Sequence, residues 1–135
     1  MRVLIVEDEM LAQDELIHLT KKIYPSFEIV GATKSIESTI DFLCKNSVDI
    51  ILMDIELSDG NSFEIFEQIE ISAPIIFTTA YEQYALKAFQ TSGVAYLLKP
   101  IKEAELAKAI EKIKAIMGTD LYQKQTIDAF SLLSR

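Results

Sequence analysis

A single cysteine, Cys44, excludes an internal disulfide and fits a reducing cytoplasm, with packing as its expected role. No apolar run approaches the ~20 residues of a membrane span. The chain passes from Met1-Arg2 straight into a short strand pattern that leaves no room for a secretory leader. These absences predict a cytoplasmic protein with no membrane partner. Positive charge is also scarce: 13 lysines and arginines face 21 acids, for a net charge of −8. A segment so acidic is not expected to grip nucleic-acid phosphates itself. Neither an internal repeat nor a low-complexity segment interrupts the chain. Its 135 residues, half of them apolar, fit one globular domain with a proper core.

The most informative stretch is Asp49-Ile-Ile-Leu-Met-Asp54, followed by Ile55-Glu56-Leu57-Ser58-Asp59-Gly60. Four consecutive apolar residues read as a strand buried on both faces. That strand ends on a carboxylate, Asp54, and Asp59-Gly60 marks a turn soon after. Four further strands are expected: Arg2–Val6, Phe27–Ala32, Pro74–Ala80 and Val94–Leu98.

Helical patterns separate the strands. From Met10 to Ile23, the residues Ala12, Leu16, Leu19 and Ile23 share one face, and Pro25 stops the run. His18 lies on that helix as a solvated surface residue. Ser35 is the expected N-cap of a helix carrying Ile36, Ile40 and Leu43 inward. Asn61, with Glu64 three residues on, is expected to cap a third helix running through Ile69. Glu82 to Ser92 has the weakest periodicity, with Gly93 as its stop. Leu106, Ile110, Ile113 and Met117 form a stripe from Glu103 to Met117, ended by Gly118. Five strands alternating with five helices imply an α/β fold, a parallel sheet covered on both faces by right-handed crossovers. Residues 119–135 show no clean period and read as a linker or helical extension.

Parallel strands share a carboxyl edge, where open α/β sheets place their ligands. The first strand delivers Glu7 and Asp8 there, the third Asp54, the fourth Thr79 and the fifth Lys99. Clustered carboxylates repel one another unless a cation neutralises them. Oxygen ligands without cysteine or histidine suit a hard ion, so Mg2+ is the expected occupant, with Mn2+ as an alternative. An ammonium and a hydroxyl across the same crevice are what a phosphoryl group requires. A carboxylate nucleophile among them points to an aspartyl phosphate.

With these residues in order, the chain resembles the receiver domains of two-component response regulators over residues 1–118. The resemblance rests on Glu7-Asp8, Asp54, Thr79-Ala80, Tyr96 and Lys99-Pro100, each following or within the matching strand. It implies a doubly wound, flavodoxin-like sheet of order 2-1-3-4-5. It also implies that Asp54 accepts a phosphoryl group from a sensor histidine kinase. Asp8, Asp54 and the main-chain oxygen of Glu56 would hold Mg2+, and Glu7 would act through water. Glu7 departs from the commoner double aspartate of the family. Lys99 would pair with the acyl phosphate, Thr79 would hydrogen-bond a phosphoryl oxygen, and Tyr96 would turn with it as a switch.

The stretches Phe77-Thr-Thr-Ala-Tyr81, Tyr84-Ala-Leu-Lys-Ala-Phe89 and Tyr96-Leu-Leu-Lys-Pro100 are similar to the LytTR-type regulators. DNA would then be contacted only through a C-terminal domain that this chain lacks. The surface of the fourth helix, fifth strand and fifth helix would be remodelled. It includes Tyr84, Lys87, Ala88, Lys108, Glu111 and Lys112, mixed charges suited to a homodimer. Such a domain is regulatory rather than an enzyme, although it assists its own phosphorylation and dephosphorylation. Tyr81 and Glu56 would flank the phosphoryl group and influence water access.

Each residue also has a plainer reading. Asp54 or Thr79 alone could cap a helix, Lys99 could be a surface lysine, and Tyr96 could be packing. Glu82, Glu103 and Glu105 are first-turn acids that complement helix dipoles. A rival class is the haloacid-dehalogenase phosphatase, whose Asp-x-Asp motif Asp54-Ile-Glu56 faintly echoes. Those enzymes carry the nucleophile on their first strand, however, and this chain has no cap insertion. A phosphorylation-independent pseudo-receiver would lack the acidic pair, the aspartate or the lysine, and all are present.

Overall fold

A computed structural model describes residues 1–84 and 93–117. The strands are β1 (Arg2–Val6), β2 (Glu28–Thr33), β3 (Ile50–Asp54), β4 (Ile75–Thr79) and β5 (Gly93–Leu98). They form one sheet of order β2-β1-β3-β4-β5, and every neighbouring pair is parallel. Among the described residues the α-helices are α1 (Met10–Ile23), α2 (Ile36–Lys45), α3 (Ile65–Gln68) and α4 (Glu103–Met117). The helix expected over Glu82–Ser92 opens as a 3-10 turn at Glu82–Tyr84, and its remainder lies outside the described residues, as do 119–135.

Strict alternation along the inner strands builds two cores. Leu4, Val6, Ile51, Met53, Ile75 and Phe77 face α2 and α3 and bury Ile36, Phe63 and Ile65. Val3, Ile5, Ile50, Leu52 and Ile76 point the other way and bury Leu16 of α1 with Leu106, Ala109, Ile110 and Ile113 of α4. A strand sandwiched in this way must be apolar on both sides, which is why β3 is buried at all five positions.

Several local expectations are corrected. Cys44 is exposed, not packed: one residue beyond the half-buried Leu43, the helical turn swings it to solvent. His18 is exposed, as expected. The buried line of α1 is Gln13, Leu16 and Thr20, with Ala12, Leu19 and Ile23 only half-buried beside it. Both polar groups are satisfied there: Gln13 Nε2 donates to the Glu7 carbonyl at 3.2 Å and Thr20 Oγ1 to the Leu16 carbonyl at 2.7 Å. Gly93, expected to stop the helix before it, opens β5 opposite Ile75, and the residues that would show the helix end lie outside the described ones.

Ser35 caps α2 as expected, in a reciprocal box with Ser38. The third helix is shorter than its sequence pattern. Asn61 Oδ1 accepts from Phe63 N–H at 2.9 Å, but the turn it caps is 3-10 (Ser62–Glu64) before α3 begins. The cause is a small antiparallel hairpin, Glu56–Leu57 against Gly60–Asn61, which holds Asn61 opposite Glu56 and makes the chain enter the helix from a tight turn. Gly60 permits that turn: its φ is 140°, a conformation that L side chains rarely adopt.

Candidate functional site at the carboxyl edge of the sheet

The register sets the site. Asp54 sits opposite Thr78, and Thr79 opposite Leu98, so the residues just past β1 and β5 (Glu7, Asp8 and Lys99) arrive level with the ends of β3 and β4. Backbone bonds lock this edge: Glu7 N–H donates to Thr33 O at 3.0 Å, Ile55 N–H to Thr78 O at 3.1 Å and Lys99 N–H to Thr79 O at 2.8 Å. The Lys99–Pro100 peptide is cis. A cleft of about 320 Å3 results, lined by Glu7, Asp8, Asp54, Glu56, Thr79 and Lys99, with Tyr81 at its rim.

Lys99 Nζ lies 2.9 Å from Glu7 Oε1 and 2.9 Å from Asp54 Oδ2. Asp54 Oδ1 accepts the Glu56 amide at 3.2 Å. Glu7 and Asp54 are buried, at 2% and 6% exposure. Glu7, Asp8 and Asp54 can each offer an oxygen within 4.8 Å of the others. Glu7 and Asp54 therefore share one ammonium with Asp8 close by, and among the described residues the buried Glu7 Oε2 has no hydrogen-bond partner. Burial first, and then the neighbouring Asp54 carboxylate, push the Glu7 carboxyl up to about 8, although Lys99 opposes the shift. Burial works against the charge of Lys99, but its bonds to Glu7 and Asp54 outweigh that and raise its pKa. An all-oxygen donor set with surplus negative charge and one orphaned buried oxygen fits a hard divalent cation.

A stability consequence follows for metal-free protein. Glu7 binds its proton more tightly folded than unfolded, so its contribution is full below its ordinary pKa of 4.5 and is lost as pH rises through about 8. In chelator, wild-type melting temperature is expected to fall relative to Glu7→Gln across that window. Parallel pH profiles of the two proteins would contradict the assignment.

Tyr96, expected as a switch, stands outside the cleft lining. It lies opposite Phe77 on β5, its ring packs against the core beneath α2 and α3, and its hydroxyl donates to the Tyr81 carbonyl. Thr79 is fully buried, and its Oγ1 accepts the Tyr81 amide at 3.2 Å. Thr79 and Tyr96 thus grip the same residue from opposite sides. The residue that sequence reasoning missed is Gln13, which props the Glu7 carbonyl from α1. Its signal is a polar side chain, like that of Thr20, on a helix face whose other members are apolar. Of the mixed charges expected on the last helix, Lys108, Glu111 and Lys112 are exposed, and Glu111 is bonded by Tyr24 and paired with Lys114.

The molecule is thus a doubly wound α/β domain that gathers three acids, a lysine and a hydroxyl at one sheet edge. The chain belongs to the response regulator receiver domain family, whose profile matches residues 3–111. It is 39% identical over 130 residues to the sensory transduction protein LytT of Bacillus anthracis, covering 94% of this chain and 52% of that protein. It is 36% identical over 123 residues to the transcriptional regulatory protein LytR of Staphylococcus aureus, covering 89% of this chain and 50% of that one. The chain therefore spans about half the length of the curated relatives it matches. Among solved structures, the response regulatory domain of mrkE from Klebsiella pneumoniae superposes with a TM-score of 0.77 at 31% identity, over 92% of this chain and 99% of that one. Receiver domains are regulatory parts of two-component systems. No helix among the described residues is long and apolar enough to cross a membrane.

Proposed function

We propose that this domain is a phosphorylation-controlled switch whose phosphoacceptor is Asp54, charged by the phosphohistidine of a sensor histidine kinase. The observation that carries the reading is the double contact of Lys99 with Glu7 and Asp54 at the mouth of β3. An Asp54 carboxylate oxygen attacks phosphorus, the phosphorus–nitrogen bond breaks, and the electron pair returns to the histidine ring. Lys99 holds Asp54 in place and then neutralises the phosphoryl oxygens. Asp8, Asp54 and the main-chain oxygen of Glu56 would hold Mg2+, or Mn2+, with Glu7 acting through water. The ion supplies charge neutralisation for the phosphoryl oxygens. Positioning and neutralisation are most of what phosphoryl transfer needs, so the domain assists its own phosphorylation, and water later reverses it. Met10 and Leu11, 55% and 72% exposed beside the acids, offer an apolar rim on which a kinase can seat.

Readout follows from the shared grip on Tyr81. A phosphoryl oxygen that draws in the Thr79 hydroxyl takes it from the Tyr81 amide, and the Tyr81 peptide is what holds Tyr96. A hydrogen bond to a charged group is worth about 1.5–3 kcal/mol. That corresponds to a shift of roughly 10- to 150-fold in a two-state equilibrium. The surface around β5 and α4, including Lys108 and Lys112, would then favour a second copy. Residues 119–135 would lead to a LytTR-type DNA-binding domain, making the whole protein a transcription regulator. Acetyl phosphate with and without Mg2+ tests the central reading. Mg2+-dependent incorporation of one phosphoryl group is expected, and incorporation unaffected by chelator would overturn it. Sedimentation with a berylliofluoride mimic tests the dimer, which identical monomers in both states would end.

A further inference from the structure

The main chain of Glu56 reaches the reactive edge from a segment with little sheet support of its own. Its amide meets Asp54 Oδ1, and its residue forms one end of the two-rung hairpin Glu56↔Asn61, Leu57↔Gly60. One side of that hairpin is fixed: Leu57 is buried in the core, and Ser62 N–H bonds the Ile55 carbonyl at 2.7 Å. Its tip is Ser58-Asp59, where Ser58 Oγ donates a long bond of 3.5 Å to the Lys34 carbonyl. There Asp59 Oδ1 accepts the Ile36 amide at 2.8 Å, and Oδ2 accepts the Glu37 amide at 3.3 Å. These are the first two free N–H groups of α2, 23 and 22 residues away in sequence. The local cap of α2, Ser35, serves a different amide, that of Ser38 at 3.0 Å. Asp59 is therefore not needed merely to start the helix.

We infer that Asp59 is a positioning residue, a strap from the N-terminus of α2 that holds the hairpin so that the Glu56 main chain stays aimed at Asp54. The inference rests on Asp54 being the phosphoacceptor only for its effect on labelling; the strap itself is a property of the fold. Removing the carboxylate loosens the hairpin tip, leaving the long Ser58–Lys34 bond there, and the Glu56 amide and carbonyl lose their fixed place beside the reacting oxygen. Displacements of about an ångström at such a site cost up to ~10²-fold in rate.

The test compares wild type with Asp59→Ala, Asp59→Asn and Ser35→Ala, by labelling with acetyl phosphate and by hydrogen exchange of the Glu56 amide. Asp59→Ala is expected to label about tenfold more slowly, to need more Mg2+ for half-maximal rate, and to exchange Glu56 faster. Asp59→Asn keeps one acceptor oxygen and should recover part of both losses. Ser35→Ala should lower the melting temperature through the lost cap yet label and exchange at Glu56 like wild type. Wild-type rates in Asp59→Ala would overturn the strap, as would slowing in Ser35→Ala matched to its loss of stability. If Asp59→Ala does not fold, wild-type exchange and labelling in Asp59→Asn would equally overturn it. A wild-type protein that takes no label would sink the phosphoacceptor reading instead, while Glu56 exchange would still judge the strap.

Discussion

Asp54→Ala is expected to take up no phosphoryl group from acetyl phosphate and to fold at least as stably as wild type in metal-free buffer. The two halves of this result have one cause. Asp54 contacts both Lys99 and the Glu56 amide, so alanine removes the oxygen proposed to attack phosphorus. The same deletion takes one carboxylate from a buried pair, Glu7 and Asp54, that shares a single ammonium beside the less buried Asp8. Glu7 then keeps Lys99 to itself and loses the neighbour that raises its pKa. A catalytic residue whose loss does not harm the fold is the expected signature of charge gathered for function rather than stability. Labelling retained in the variant, or a large loss of stability with it, would each contradict this account.

Lys99→Ala is expected to fail differently. Glu7 and Asp54 would remain buried beside Asp8 with no cation among them. The cost should be less than the ~3–5 kcal/mol of breaking a fully buried pair, because Lys99 is 28% exposed and Glu7 can hold a proton. A destabilisation of about 1–3 kcal/mol is expected in chelator, and added Mg2+ should recover most of it by ligand linkage. Labelling should fall by about 10²–10³-fold even with Mg2+, since the phosphoryl charge loses its fixed ammonium. Denaturant melts in chelator and in Mg2+, with labelling rates on the same samples, give both numbers. Equal stability in the two buffers would show that the carboxylates do not bind the ion.

Much of this was legible because one physical rule governs the sheet. A strand sandwiched between helices has to be apolar throughout, so Ile50–Met53 announces itself, and the first polar residue after it marks the edge where chemistry occurs. The same rule located Glu7, Thr79 and Lys99 without knowledge of any contact. The Glu103–Met117 stripe carried enough turns of one period for the helix start and its buried line, Leu106, Ile110 and Ile113, to be read correctly.

What was not legible depends on contacts between distant parts of the chain. A hairpin of two-residue strands has no period to detect, so the delayed start of α3 and the aim of Glu56 could not be seen. Asp59 read only as a turn residue, because the amides it caps lie across the fold on α2. The role of Gln13 emerges only with the Glu7 carbonyl placed within reach of its side-chain amide. Cys44 was assigned to packing from its residue type, whereas its place after Leu43 on the helix decides its exposure.

The most direct measurement maps the modified residue in wild-type protein. After reaction with acetyl phosphate and Mg2+, borohydride reduction converts an aspartyl phosphate to homoserine, which peptide mass spectrometry can place. The account predicts a single reduced residue, Asp54, absent when chelator replaces Mg2+. Homoserine at Asp8, Asp59 or another acid, or a phosphoryl group on a hydroxyl that resists reduction, would contradict it.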